Sequence, residues 1–148
     1  MKTTTSVLRL SLAGLLFAAL FSCTRSVTQP TPSPSSLIIG KWTMKAAIGN
    51  YTDQGVNNKD TTLFTTDDYF DFKADSTIFI NATGSQYNGN WKIVGGKLFI
   101  TGTNYLDAYV KGFDLPILTS TNLQMYYTDT ITTTTPISTL EQKLNLAR

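Results

Sequence analysis

The sequence predicts an all-β domain, a small antiparallel up-and-down barrel of about eight strands, preceded by an apolar leader and a proline-rich linker. Three observations carry that prediction. From Leu37 onward, short runs of Thr, Val, Ile, Tyr and Phe are separated by Gly, Asn, Asp and Ser, the punctuation of strands and turns. Gly95-Gly96 stands between two alternating runs, and paired glycines supply the positive φ angles of a two-residue hairpin turn. Cys23 is the single cysteine of the chain, so no intramolecular disulfide forms and the core must be built from apolar side chains. An open β-sandwich with a C-terminal helix is the alternative architecture.

The leader comes first. Lys2 and Arg9 are the charges before Cys23, and Leu10–Phe21 is almost wholly Leu, Ala, Phe, Ser and Gly. A basic start and an apolar stretch of about 12 residues make a secretory signal, and the stretch is too short to span a bilayer. Leu20-Phe21-Ser22-Cys23 resembles the lipobox of bacterial lipoproteins, with Ser22 before the cleavage point and Cys23 as the residue that takes the lipid. The resemblance implies a signal peptide over residues 1–22 and a mature protein that starts at an acylated Cys23. Several acyl chains hold a protein firmly where one is marginal. Thr24, where inner-membrane lipoproteins carry Asp, points to the outer membrane, with the periplasmic face expected over the cell surface.

Residues 23–36 read as a tether. Pro30, Pro32 and Pro34 alternate with small polar residues, a composition that stays extended and buries no core. The formal charge of +2 over the whole chain comes from Lys2 and Arg9. From Cys23 on, ten basic residues face nine aspartates and Glu141, a balance of zero. A neutral domain with interspersed charge has no basic stripe for phosphates, so nucleic acid is not an expected partner.

The domain is expected over residues 37–148. Leu37–Ile48 reads as a first strand and Gly49–Asp60 as a polar loop. Phe70 and Phe72 alternate with Asp71 in a strand that turns at Ala74-Asp75-Ser76, and Thr77–Ala82 pairs back. Thr83–Asn88 reads as a turn before Gly89–Val94. Lys97–Thr101 follows the Gly95-Gly96 turn. Leu115–Leu118 and Leu123–Ile131 form a further hairpin, and Pro116 suits an edge or a strand end. In the tail, Ile137, Leu140 and Leu144 fit a helical face, while Leu144, Leu146 and Arg148 fit one side of a strand. The β-rich context and the poor helix formers around it favour a closing strand.

Gly40-Lys41-Trp42 near the first strand resembles the G-x-W signature of lipocalins. The cadence of Asp67–Phe72, Asp75-Ser76-Thr77, Gly89-Asn90-Trp91, Lys97–Ile100 and Leu118–Leu123 is similar to the lipocalin-like domains of bacterial outer-membrane lipoproteins. The resemblance implies a barrel closed at one end by Trp42, with a basic side chain from the last strand across its ring. Arg148, on the strand face of Leu144 and Leu146, is the candidate for that cover, with Lys143 as the other basic residue near it. The functional expectation is a lipid-anchored barrel that binds or carries a small, partly hydrophobic ligand of unknown identity. The alternative is a non-enzymatic interaction lipoprotein with a filled barrel that contacts another envelope component. Phe70, Phe72, Phe79, Trp91, Phe99, Tyr105 and Tyr127 are the candidate ligand lining, since ligand cavities are mostly apolar. A small barrel is equally able to fill itself with its own side chains.

Enzymatic chemistry is not expected. The chain has no histidine, so it has neither a Ser-His-Asp triad nor an imidazole base, and Cys23 is committed to lipid. Asp71 and Asp75 fit a solvated strand face and a turn, and base, nucleophile and oxyanion donors form no convergent set. Asp53, Asn57, Asn58 and Asp60 supply oxygens of the kind Ca²⁺ takes, but their spacing is not that of an EF-hand, and turns use the same residues. No metal or cofactor is expected. Asp60-Thr61-Thr62, Asp75-Ser76-Thr77 and Asp129-Thr130-Ile131 resemble the short O-glycosylation pattern of some diderm bacteria, a pattern that arises readily in a threonine-rich chain.

Overall fold

The computed structural model describes residues 31–53, 55–106, 109–131 and 138–148; the leader, Cys23 and most of the expected tether lie outside the described residues. One short helix, α1 (Pro34–Ile38), opens the compact unit that begins at Pro32. Nine strands follow among the described residues: β1 (Gly40–Asp53), β2 (Val56–Leu63), β3 (Tyr69–Phe72), β4 (Thr77–Ala82), β5 (Ser85–Val94), β6 (Lys97–Thr101), β7 (Phe113–Leu118), β8 (Asn122–Ile131) and β9 (Ser138–Ala147).

Antiparallel neighbours run in the order β1-β3-β4-β5-β6-β7-β8-β9, and β9 pairs back onto β1 to close an eight-stranded barrel. Closure removes the free edges that an open sheet of this length would expose. The expected up-and-down barrel is the fold, and the C-terminal segment is its closing strand. Tertiary pairing on both sides outweighs the helical spacing of Ile137, Leu140 and Leu144: Leu144 lies opposite Ala47 on one neighbour and Met125 on the other.

Three elements differ from the sequence-based expectation. The first strand begins at Gly40, not Leu37, because Pro34–Ile38 turns into a helix. Ser33 caps that helix, its hydroxyl accepting from the Ser36 N–H at 3.2 Å, and Pro34 supplies the pre-set φ of the first turn. Residues 34–36 therefore belong to the domain rather than to the tether. Of residues 49–60, expected as a loop, 49–53 and 56–60 instead form the greater part of a hairpin between β1 and β2, in register from Ala46↔Leu63 to Asp53↔Val56. Both faces of β2 are solvated, so its sequence carries no apolar alternation to announce a strand. The turn expected over residues 83–88 is confined to Thr83 and Gly84, both at positive φ, and β5 starts at Ser85.

β1 changes neighbours midway. Gly40–Thr43 pairs with β3, and Ala46–Asp53 pairs with β2. The register against β9 shifts between Met44 and Ala46, a bulge that inserts Lys45 where the exchange occurs. The upper half of β1 thereby carries the β1–β2 hairpin beyond the barrel wall. The chain enters at the opposite end, through α1.

Candidate functional site

The closed end is built around Trp42. Its ring is fully buried, and its indole N–H donates to the Ile38 carbonyl at 2.7 Å, so the last residue of α1 is tied to the plug. Arg148 lies across the ring, its guanidinium carbon 3.9 Å from the centroid, within the range of a cation–π contact. One guanidinium nitrogen donates to the carbonyls of Leu37, Ile38 and Ile39. Arg148 is thus the cation that covers Trp42; Lys143 is paired in register with Ile48 and Tyr126, well up the barrel. Gly40 completes the arrangement. Its φ is +121°, which a side chain rarely tolerates, and a Cβ there would come within 3.3 Å of the guanidinium.

The seven aromatic candidates fall into three groups. Phe70, Phe72, Trp91 and Tyr127 point inward and are buried, but they pack on the core rather than line a void. Phe72 meets Trp91 edge-on at 5.7 Å, and the Trp91 indole donates to the Lys73 carbonyl at 3.0 Å. Phe79 and Phe99 face outward. The inward residues of their strands are Ile78, Ile80 and Ala82 on β4, and Leu98 and Ile100 on β6. Tyr105 sits at the open end, stacked on Tyr87 at 4.9 Å. Aromatic residues were an unsafe guide to the interior here because the inward positions on β4 and β6 are aliphatic.

The described parts of the connection between β6 and β7, residues 102–106 and 109–112, fold into the open end. Thr103 is buried, and its hydroxyl accepts from the Leu106 N–H at 3.0 Å; Tyr109 then donates from its N–H to the Leu106 carbonyl at 3.0 Å. These turns lay Leu106, 6% exposed, and Tyr109 over the core. Tyr109 meets Tyr127 edge-on at 4.8 Å and Phe113 at 5.0 Å. What remains is a pocket of about 140 Å³ lined by Ala47, Tyr105, Leu106, Tyr109, Phe113, Gln142 and Leu144. Ligand cavities usually measure about 300–1,000 Å³. Burial raises the Tyr105 and Tyr109 phenols above their ordinary range. At the rim, Lys111 pairs with Asp129, and the Tyr127 hydroxyl donates to Asp129 at 3.2 Å. The Lys111 contact, then the Thr130 N–H, hold the Asp129 carboxyl below its usual range.

Two further clefts open on the outside. One, of about 330 Å³, lies at the β1–β2 extension between Asn50, Tyr51, Thr52, Asn57, Asn58, Lys59 and Glu141. Asn57, Asn58 and Asp60 are strand residues there, and no cluster of three or more acidic, cysteine or histidine side chains with metal-holding geometry occurs among the described residues. The other, of about 540 Å³, lies on the outer face of β3, β4 and β5, where Tyr69 and Phe79 stand 5.8 Å apart.

Asp68 fastens the loop before β3 to the β4–β5 turn. One carboxylate oxygen accepts from the Thr65 N–H and hydroxyl, both at 2.8 Å, and the other from the Thr83 N–H at 2.6 Å. The Thr65 backbone bond, then that from Thr83, hold the carboxyl below its usual range against the opposing effect of burial. A lowered folded-state pKa means that the stabilisation is present above the ordinary aspartate pKa of about 3.9 and is lost as pH falls through the folded value. Asp68→Asn turns an amide donor toward one of these donors and is expected to cost about 2 kcal/mol at neutral pH. In urea titrations the gap between the two proteins should close on acidification; a gap independent of pH would contradict the ionised-carboxylate role.

Comparison with known proteins gives no matching family model, no matching curated protein and no matching solved structure.

Proposed function

We propose that this chain is a lipid-anchored cell-envelope lipoprotein, lipocalin-like in architecture, whose filled barrel serves as a non-enzymatic contact module. The supporting observation is the interior. Inward side chains from Trp42 at the closed end to Tyr127 and Leu144 near the open end form one packed cluster, sealed by Leu106 and Tyr109. Recognition then falls to the outer surface. The lipobox-like Leu20-Phe21-Ser22-Cys23 and the neutral, histidine-free domain support the anchored, non-catalytic part of the reading.

The two parts have separate tests. Cys23→Ala should release the protein from the outer-membrane fraction into the soluble envelope fraction, and the wild type should carry diacylglycerol and acyl mass at its mature terminus. An unmodified, soluble wild type would overturn anchoring. Native mass spectrometry of protein purified from its own cells should show the mature mass without a small-molecule adduct. The second reading, a barrel that holds a small, partly hydrophobic ligand, is favoured by the tyrosine-lined pocket at the open end. A stoichiometric adduct lost on Tyr109→Ala would establish it in place of the first.

A further inference from the structure

The outer face of β3, β4 and β5 presents a grid set by strand register. Tyr69 lies opposite Asn81, and Asn81 opposite Gln86. In the next row Asp71 lies opposite Phe79, and Phe79 opposite Asn88; in the third, Thr77 faces Asn90. The cleft of about 540 Å³ occupies part of this grid, lined among others by Tyr69, Asp71, Lys73, Thr77, Phe79 and Asn88. Half-buried aromatic rings on a solvated face are not part of the core, and the barrel has no need of them for closure.

Charge narrows the occupant. Asp71 is paired with Lys73, and Lys41 rests over the Tyr69 ring with its ammonium 3.6 Å from the centroid. Thr77 and Asp75 satisfy each other across the turn, the hydroxyl donating at 2.6 Å. The ionic groups around the cleft therefore already have partners within the protein. The exposed amides of Gln86, Asn88 and Asn90 do not: among the described residues their side chains make no hydrogen bond. Each amide both donates and accepts, and the ring face of Phe79 carries the negative lobe of the aromatic quadrupole, whereas that of Tyr69 already holds Lys41. One ring face, that of Phe79, beside unengaged amides, with the cations Lys41 and Lys73 matched in number by the carboxylates Asp71 and Asp75, complements an uncharged ligand dense in hydroxyls and polarised C–H bonds.

We propose that this face binds a neutral oligosaccharide, with Phe79 stacking a sugar ring, Tyr69 flanking it under Lys41, and Asn88 hydrogen-bonding its hydroxyls. The proposal rests on the reading of the barrel as a contact module and names its partner chemistry. Full-length protein in detergent would be applied to immobilised neutral oligosaccharides built from hexoses, N-acetylhexosamines and deoxyhexoses, with acidic oligosaccharides alongside. Binding to at least one neutral chain is expected, unchanged by added salt because no ion pair forms. Asn88→Ala and Phe79→Ala should each weaken it about tenfold, the scale of losing one central contact. Phe99→Ala, on the neighbouring strand outside the cleft, should leave it unchanged. Asn88 is exposed, so its variant tests the site even where Phe79→Ala disturbs folding. A blank array, binding confined to acidic chains, or Asn88→Ala binding as wild type would overturn the proposal. A blank array leaves the contact-module reading standing; an apolar adduct in native mass spectrometry removes that reading instead.

Discussion

Trp42→Ala is expected to destabilise the domain by about 3–5 kcal/mol, a large share of what a domain of this size holds in reserve. Three losses coincide. The ring is fully buried, so its removal leaves a cavity at the barrel floor. The Ile38 carbonyl loses the indole donor at 2.7 Å. Arg148 keeps its carbonyl partners but loses the ring beneath it, 3.9 Å away. Urea unfolding followed by circular dichroism measures the change. Arg148→Met tests the cover separately: methionine refills some volume but donates to none of the Leu37, Ile38 and Ile39 carbonyls, so a smaller loss is expected. A Trp42→Ala protein within 1 kcal/mol of wild type, below the usual cost of emptying such a site, would mean that the plug is not what closes the barrel.

The second large effect is expected at Gly89, which nothing in a hydropathy pattern marks. A Cβ there would stand 2.5 Å from the Thr101 carbonyl oxygen and 2.5 Å from a Thr103 methyl group. The first neighbour is backbone and cannot swing away. Gly89 faces Ile78 across the β4–β5 ladder, and the missing side chain lets the chain after β6 cross close to the wall. Thr103 then holds Tyr105 and Leu106 through its hydroxyl, which positions the cover of the open end. Gly89→Val is expected to cost about 3 kcal/mol, at the upper end for overpacking. It should also raise hydrogen exchange in the Thr103–Leu106 turn more than in β8 or β9. Uniform loss of protection would show a global effect without a local origin.

Glycines at 40 and 89 illustrate how differently sequence signals translate. Gly40 is visible in the sequence because it stands two residues before a tryptophan, and the structure supplies its reasons: a φ of +121° and a guanidinium against its open side. Gly89 also precedes a tryptophan by two residues, yet its reason is a steric contact with a segment more than ten residues away. Gly95-Gly96 needed no tertiary context, since both take positive φ in the expected hairpin turn. Short-range geometry is legible from short-range sequence. Contacts between distant segments are not.

The candidate site divides along the same line. Arg148 over Trp42 was accessible through the Gly40-Lys41-Trp42 resemblance, which implies a basic cover from the last strand; strand parity then singled out Arg148, on the face of Leu144 and Leu146. Phe79 and Phe99 were expected inside and stand outside, because alternation in a strand identifies two faces without saying which is buried when both carry large apolar residues. On β4 the choice lay between Phe79 and the pair Ile78 and Ile80, and the register with Phe72 and Phe70 settled it. The outward aromatic face that results is the basis of the oligosaccharide proposal. Tyr69 and Asn88, which share it, had no distinguishing mark in a chain rich in tyrosine and asparagine.

By itself the sequence determined the all-β class and the strand count to within one; it favoured a closing strand over a helix at the C-terminus, and the plug at Trp42 was what the Gly40-Lys41-Trp42 resemblance implied. The class and the strand count follow from local turn chemistry and from parity along each strand, which depend on near neighbours in the chain. Tertiary structure alone decided that the barrel is filled, that residues 49–60 contribute to a hairpin beyond its wall, and that two phenylalanines face solvent. Each of those outcomes depends on which distant segment occupies a given side of a strand. Packing volume settles that, and no period in the sequence encodes it.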